Sequence, residues 1–168
     1  HFRKGEFFLR EGEVAKYGAF VVRGCLRSYS VDNKGKEHIL MFAPEEWWTG
    51  NLESARTGTP SAYFIDALED TDVLLQDAPS FNKAMSIPAY ARGFQEGIQR
   101  HAGAKDRRII ASLSASAEER YTDFLNRYPS IAQRVPQHML ASYLGITPET
   151  LSRIRKSMSQ KKLLFHLS

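Results

Sequence analysis

The sequence has 168 residues, 42% of them hydrophobic and 25% charged, with 11 Gly and 7 Pro; this balance excludes collagen-like and disordered chains and supports a buried core. No run approaches the roughly 18 consecutive apolar residues of a membrane span, and the first residues show no signal-peptide apolar core. The net charge of +4 hides an asymmetry: 10 basic and 13 acidic residues up to Met85, then 13 basic and 6 acidic, so the second half suits a polyanionic partner.

The single cysteine, Cys25, excludes an internal disulfide or a cysteine-held cluster and reads as a small buried residue in a reducing, cytoplasmic protein. Because the sequence opens on His1, the natural start of the protein is expected to lie upstream.

From Phe2 to Asp77 short apolar or alternating runs are separated by turn residues. Strands are predicted at Glu6–Leu9, Ala19–Val22, Leu26–Val31, His38–Phe42, Tyr63–Ala67 and Val73–Gln76, broken at residues 11–13, 32–35 and 57–60. Closely spaced short strands predict a β-roll of jelly-roll type. Trp47, Trp48, Tyr63 and Phe64 read as divided between core and surface. His38 and His101 lack a second ligand at metal-binding spacing, so no metal is expected.

After Pro79 helical signals take over. A long helix is predicted over about 87–113, with Ile87, Ala91, Phe94, Ile98, His101 and Ala102 at three- and four-residue steps before Lys105 and Arg108 interrupt the stripe. A further helix is predicted over Ala117–Asn126, capped by Ser116 or Ser114, with Glu118 and Glu119 in its first turn and Tyr128-Pro129 at its end. The fold class is therefore α+β, divided into residues 1–114 and a helical domain over 115–168.

The most informative stretch runs from Arg134 to Lys156, within a helix-turn-helix predicted at Gln137 to Ser159. Val135-Pro136 opens a helix whose apolar face is Leu140, Ala141 and Leu144; Gly145 can reverse the chain, and Ile146 can plug the gap between helices. Thr147, Pro148 and Glu149 then supply a side-chain cap, a proline in the first turn and a carboxylate near the helix N-terminus. At about 100° per residue, Ser152, Arg153 and Lys156 fall within about 60° of Glu149, whereas Leu151, Ile154 and Met158 lie on the opposite side. This is the pattern of a helix-turn-helix whose second helix packs with its back and offers its front to base edges. Glu149, Ser152 and Arg153 are the candidate base-reading residues. Gln137, His138, Thr147, Thr150, Arg155, Lys156 and Lys161, with Arg134 and Lys162, are candidates for phosphate or flanking contacts.

Pro148-Glu-Thr-Leu-Ser-Arg153 resembles the recognition helix of the Crp/Fnr family of regulators. Phe2–Glu13, Phe20–Arg27 and Asp32–Glu37 are similar to that family's cyclic-nucleotide-binding roll, so the resemblance covers nearly the whole chain. It implies a winged-helix transcription regulator and a homodimer joined through the long helix. It also implies double-stranded DNA as partner, an unknown small effector, and RNA polymerase as a further candidate partner. The tentative effector pocket is Trp48, Gly50, Asn51, Leu52, Ser61 and Ala62. The family's nucleotide cassette carries a ribose-binding acid and a phosphate-binding arginine, whereas here Gly50-Asn51-Leu52 and Pro60-Ser61-Ala62 stand in that place. A buried phosphate needs paired charge or several donors, which Pro60 does not offer although Arg56 is close enough in sequence to substitute, so cyclic nucleotide is not expected and no cofactor is assigned. Two other classes compete: a non-catalytic ligand-binding roll acting on a partner protein, and a cupin-like enzyme. The enzyme needs clustered histidines, and the roll region has only His1 and His38.

Overall fold

A computed structural model describes the backbone of residues 1–165 and the side chains of residues 1–160. The N-terminal part carries seven strands: β1 (Phe7–Leu9), β2 (Gly18–Arg23), β3 (Leu26–Val31), β4 (Glu37–Ala43), β5 (Trp48–Thr49), β6 (Phe64–Ala67) and β7 (Asp72–Gln76). They form two antiparallel sheets with orders β1-β6-β3-β4 and β5-β2-β7. All six predicted strands are present. The two-residue β5 and a short helix α1 (Leu52–Thr57) are additions the sequence pattern did not show.

The chain changes sheets at Gly24, between β2 and β3. Its φ is 93°, and a Cβ there would lie 2.6 Å from the Asp70 carbonyl oxygen and the Thr71 hydroxyl, so a side chain is excluded by contact as well as by conformation. The β3–β4 turn falls at the predicted break: the Asp32 carboxylate accepts from the Lys34 and Lys36 amides, and Gly35 takes a positive φ. Inside the roll Leu9, Ala15, Ala19, Val21, Leu26, Ala43, Ile65 and Ala67 form one buried cluster. Removing each larger one of these side chains from water contributes about 1.5 to 3 kcal/mol.

Among the described residues there are six helices: α1, then α2 (Ala78–Met85), α3 (Pro88–Ser114), α4 (Ala117–Arg127), α5 (Gln137–Leu144) and α6 (Pro148–Phe165). Helix α2, capped by the Asp77 side chain on the Ser80 amide, is a separate element that the sequence reading merged into the onset of helical signals. Early α3 lies against the roll through aromatics. Trp48 contacts Phe20 at 5.2 Å and Phe94 at 5.7 Å between ring centroids, and Trp47 meets His101 at 4.7 Å. Gly97 is buried where a Cβ would already stand 3.5 Å from Trp48. The chain divides into two compact units within α3, His1–Asp106 and the residues from Arg107 onward. No helix among the described residues is long and apolar enough to cross a membrane.

Candidate nucleic-acid interface

The second unit is built on Tyr121, Phe124, Tyr128, Ile131, Val135, Leu140, Ala141, Tyr143, Leu144 and Leu151, all buried. Helix α4 starts in a reciprocal cap: the Ser116 hydroxyl accepts from the Glu119 amide and the Glu119 carboxylate accepts from the Ser116 amide. Its inward Phe124 sits 5.5 Å from Tyr143 of α5, so the helix-turn-helix rests on an aromatic support.

Helix α5 ends at Gly145, whose φ of 67° is the left-handed conformation that the predicted turn requires. The Ala141 carbonyl accepts from the Ile146 amide, and the Ser142 carbonyl from the Gly145 amide. Helix α6 then starts as its sequence predicts. The Thr147 hydroxyl accepts from the Thr150 amide at 3.2 Å, Pro148 opens the helix, and Glu149 occupies its first turn. The Glu149 carboxyl is held below the usual carboxylate range by a backbone amide at the helix start first, then by Thr147 and Arg153. It is therefore a carboxylate at neutral pH.

Leu151 is fully buried, and Ile154 and Met158 are partly covered. On the other side Glu149, Ser152, Arg153 and Lys156 are exposed, as is Arg155. The Arg153 guanidinium donates to the Thr150 hydroxyl at 3.2 Å, so Thr147, Thr150 and Arg153 form a short polar chain beside Glu149. Gln137, His138 and Thr147 are exposed around the same turn, and Arg134 is half-buried with a bond to the Ser130 carbonyl. The side chains of Lys161 and Lys162 lie outside the described residues.

In the roll, the tentative pocket residues are largely engaged with one another. Asn51 caps α1 and donates to the Ser61 hydroxyl at 3.1 Å; Ser61 donates to the Tyr63 carbonyl; the Tyr63 hydroxyl donates to the Gly50 carbonyl. Trp48 meets Phe94 of α3 edge to face, while Leu52 and Ala62 are exposed. Thr49, beside them, keeps a buried hydroxyl without a hydrogen-bond partner.

Sequence reasoning missed two arginine clusters. Arg27, near the start of β3, makes a two-pronged pair with Asp66 of β6 at 2.7 and 2.8 Å, adds Glu37, and lies 4.3 Å above the Tyr29 ring. In the second unit Arg108 and Arg120 reach the end of α5. For Arg27 the available signal was a basic residue on a strand that otherwise reads as core; Arg108 sits in the charged run Lys105–Arg108 and gave none beyond its interruption of the apolar stripe.

Residues 1–87 match the family described as cyclic nucleotide-binding domain. Over 174 aligned residues the chain is 24% identical to the transcriptional activator protein Anr of Pseudomonas protegens, covering 96% of this chain and 70% of that protein. The structure of FixK2 from Bradyrhizobium japonicum superposes with a TM-score of 0.81 at 25% identity, over 96% of this chain and 83% of that one. A CRP/FNR-family transcriptional regulator from Thermus thermophilus shares the fold, with a TM-score of 0.70 at 18% identity over 95% and 84% of the two chains. With its first half matching the cyclic nucleotide-binding domain and its whole length following these regulators, the chain belongs to the Crp/Fnr family of non-enzymatic transcription regulators.

Proposed function

We propose that this chain binds double-stranded DNA sequence-specifically as a homodimer, under the control of an unidentified effector of the roll. Glu149, Ser152 and Arg153 read base edges, while Arg155, Lys156 and Lys161 contact phosphates and Gln137, His138, Thr147 and Thr150 make flanking contacts. The observation that carries this reading is the two-sided character of α6: Leu151 is buried, and the polar groups opposite are exposed on a capped, positioned helix. An arginine can fork onto guanine and a carboxylate can accept from a cytosine amino group, so this face holds both kinds of readout.

Residues 1–114 act as sensor and dimerising part, and 115–168 as the DNA-reading part, working in the cytoplasm. Exposed Ile87, just before α3, and Ile98, Ile109 and Leu113 along it support the dimer, because an unpartnered apolar stripe favours burial against a copy of itself. The hydrogen bonding among Asn51, Ser61 and Tyr63 supports an effector other than a cyclic nucleotide, because it engages these polar groups with one another, Arg56 of α1 being the cation close in sequence that could still pair a phosphate. An effector acts by preferring one arrangement of roll and α3, shifting the population competent for DNA.

The test is selection of bound duplexes from a random pool by the full chain at two salt concentrations. Enrichment of a two-fold symmetric sequence supports the reading, and binding without any enrichment overturns it. No duplex binding at either salt favours the roll as a module acting on a partner protein.

A further inference from the structure

An α-helix leaves its last four carbonyls without intrahelical donors. In α5 these belong to Ala141, Ser142, Tyr143 and Leu144. The Gly145 turn serves the first two through the Ile146 and Gly145 amides. The other two are taken by arginines from outside the helix-turn-helix. Arg108, in the last turns of α3, donates its Nε–H to the Tyr143 carbonyl at 3.2 Å, and its guanidinium lies 4.2 Å from the centroid of the Tyr143 ring. Arg120 of α4 donates Nε–H to the Leu144 carbonyl at 3.0 Å and another N–H to the Ala115 carbonyl, in the joint between α3 and α4, at 2.7 Å.

We propose that Arg108 and Arg120 form a clamp that sets the pitch of the helix-turn-helix relative to the end of α3, making them positioning residues for DNA reading. The inference deepens the proposed function and rests on it for its consequence, though not for its geometry. The two arginines grip the carbonyls of Tyr143 and Leu144, the last two residues before Gly145, on which the chain reverses into α6, so a rotation of the α3 end is delivered at the pivot. Arg108 does so with a flat group fixed in two ways, by a hydrogen bond to backbone and by stacking on a ring. Its burial pulls the guanidinium below its ordinary range, a cost that a merely solvated arginine would not meet. Positive charge at the C-terminal end of α5 also complements the helix dipole.

The experiment uses the full chain with spin labels at Ser112→Cys on α3 and Ser159→Cys on α6, both exposed positions, in labelled protein diluted with excess unlabelled protein. Cys25 is fully buried and takes no label in the folded state. Arg108→Gln broadens the label-to-label distance distribution while far-ultraviolet circular dichroism stays native, and the exposed neighbour variant Arg107→Gln leaves it narrow. On the duplex enriched by the unsubstituted protein, Arg108→Gln lowers specific affinity about tenfold with little change on random duplex, the size of an ordinary coupling between sites. Arg108→Lys keeps charge and length but loses the planar stack and the Nε–H, and it broadens the distribution too. Should Arg108→Gln fail to fold, the lysine variant decides. A distribution as narrow as the unsubstituted one in a folded variant overturns the clamp. If the unsubstituted protein enriches no duplex, the DNA reading has failed while the distances still judge the clamp.

Discussion

At the residue scale, Arg153 and Asp66 show how differently a charge works when exposed and when buried. Arg153 stands in water beside Glu149 and Thr150, so truncating it leaves the fold intact. Arg153→Ala is expected to cost about 1 to 3 kcal/mol on the enriched duplex and to relax preference at one base position. Competition against single-base variants of that duplex measures it; equal loss on every sequence reassigns Arg153 to the phosphates. Asp66 is the opposite case. Its carboxylate and the Arg27 guanidinium are both nearly inaccessible, with side-chain exposures of 6% and 9%. Removing one partner leaves a buried charge whose lost solvation is not made good, since Glu37 is 40% exposed and holds Arg27 from one side only. Asp66→Ala is therefore expected to destabilise the protein by about 3 kcal/mol, read from urea unfolding. A change within 0.5 kcal/mol, about the scatter of ordinary surface substitutions, would show that Glu37 alone suffices.

At the scale of elements, local chemistry decided what the sequence could disclose. The α6 start was legible because Thr147, Pro148 and Glu149 each carry a local preference, and Gly145 supplies the backbone that only a residue without Cβ adopts cheaply. The start of α4 was legible for the same reason, through Ser116 and Glu119. The Arg27–Asp66 pair was not, because the two residues are 39 positions apart and meet only through the β3–β6 register. The two residues of β5 are too few for any periodicity, and α2 hides behind the stronger signal of α3. His101 illustrates the same limit. Sequence places it on the helical stripe, whereas the structure shows its Nε2 buried without a partner against Trp47.

Burial first, then the nearby charges of Lys105 and Arg100, lowers the His101 pKa to about 4 from an ordinary 6.5. Between those values the unfolded chain binds a proton that the folded chain refuses, so stability rises with pH across this window and falls as the solution is acidified. The imidazole is only partly enclosed, so we expect about 1 to 2 kcal/mol of stability to be lost between pH 6.5 and pH 4 on this account. His101→Gln should flatten that part of the profile when unfolding midpoints are compared pH by pH. Parallel profiles for the two proteins would place the acid sensitivity elsewhere.

At the scale of the whole molecule, the exposed apolar residues of α3 matter more than any one contact. Ile98, Ile109 and Leu113 are 42%, 59% and 83% exposed, along a helix whose adjoining flank carries the Phe94 and His101 contacts to Trp48 and Trp47 of the roll. They recur at steps of eleven and four residues, which keeps them on one stripe, and small Ala91 and Ala102 share it and permit close approach of a second helix. In the proposed dimer a symmetric partner would convert that stripe into an interface and bring two copies of α6 to one duplex, so dimerisation and DNA affinity should fall together. Ile109→Glu places a carboxylate at a seam where the two-fold axis would set it against its own copy. It is expected to give a monomer by sedimentation velocity at micromolar concentration and to weaken binding to the symmetric duplex about a hundredfold or more, while binding to a single half-site changes little. The half-site measurement separates a lost partner from a damaged reading head. A variant that remains dimeric, or a monomer that holds the symmetric duplex as tightly as before, removes α3 from the assembly and with it the link between the stripe and the paired recognition helices.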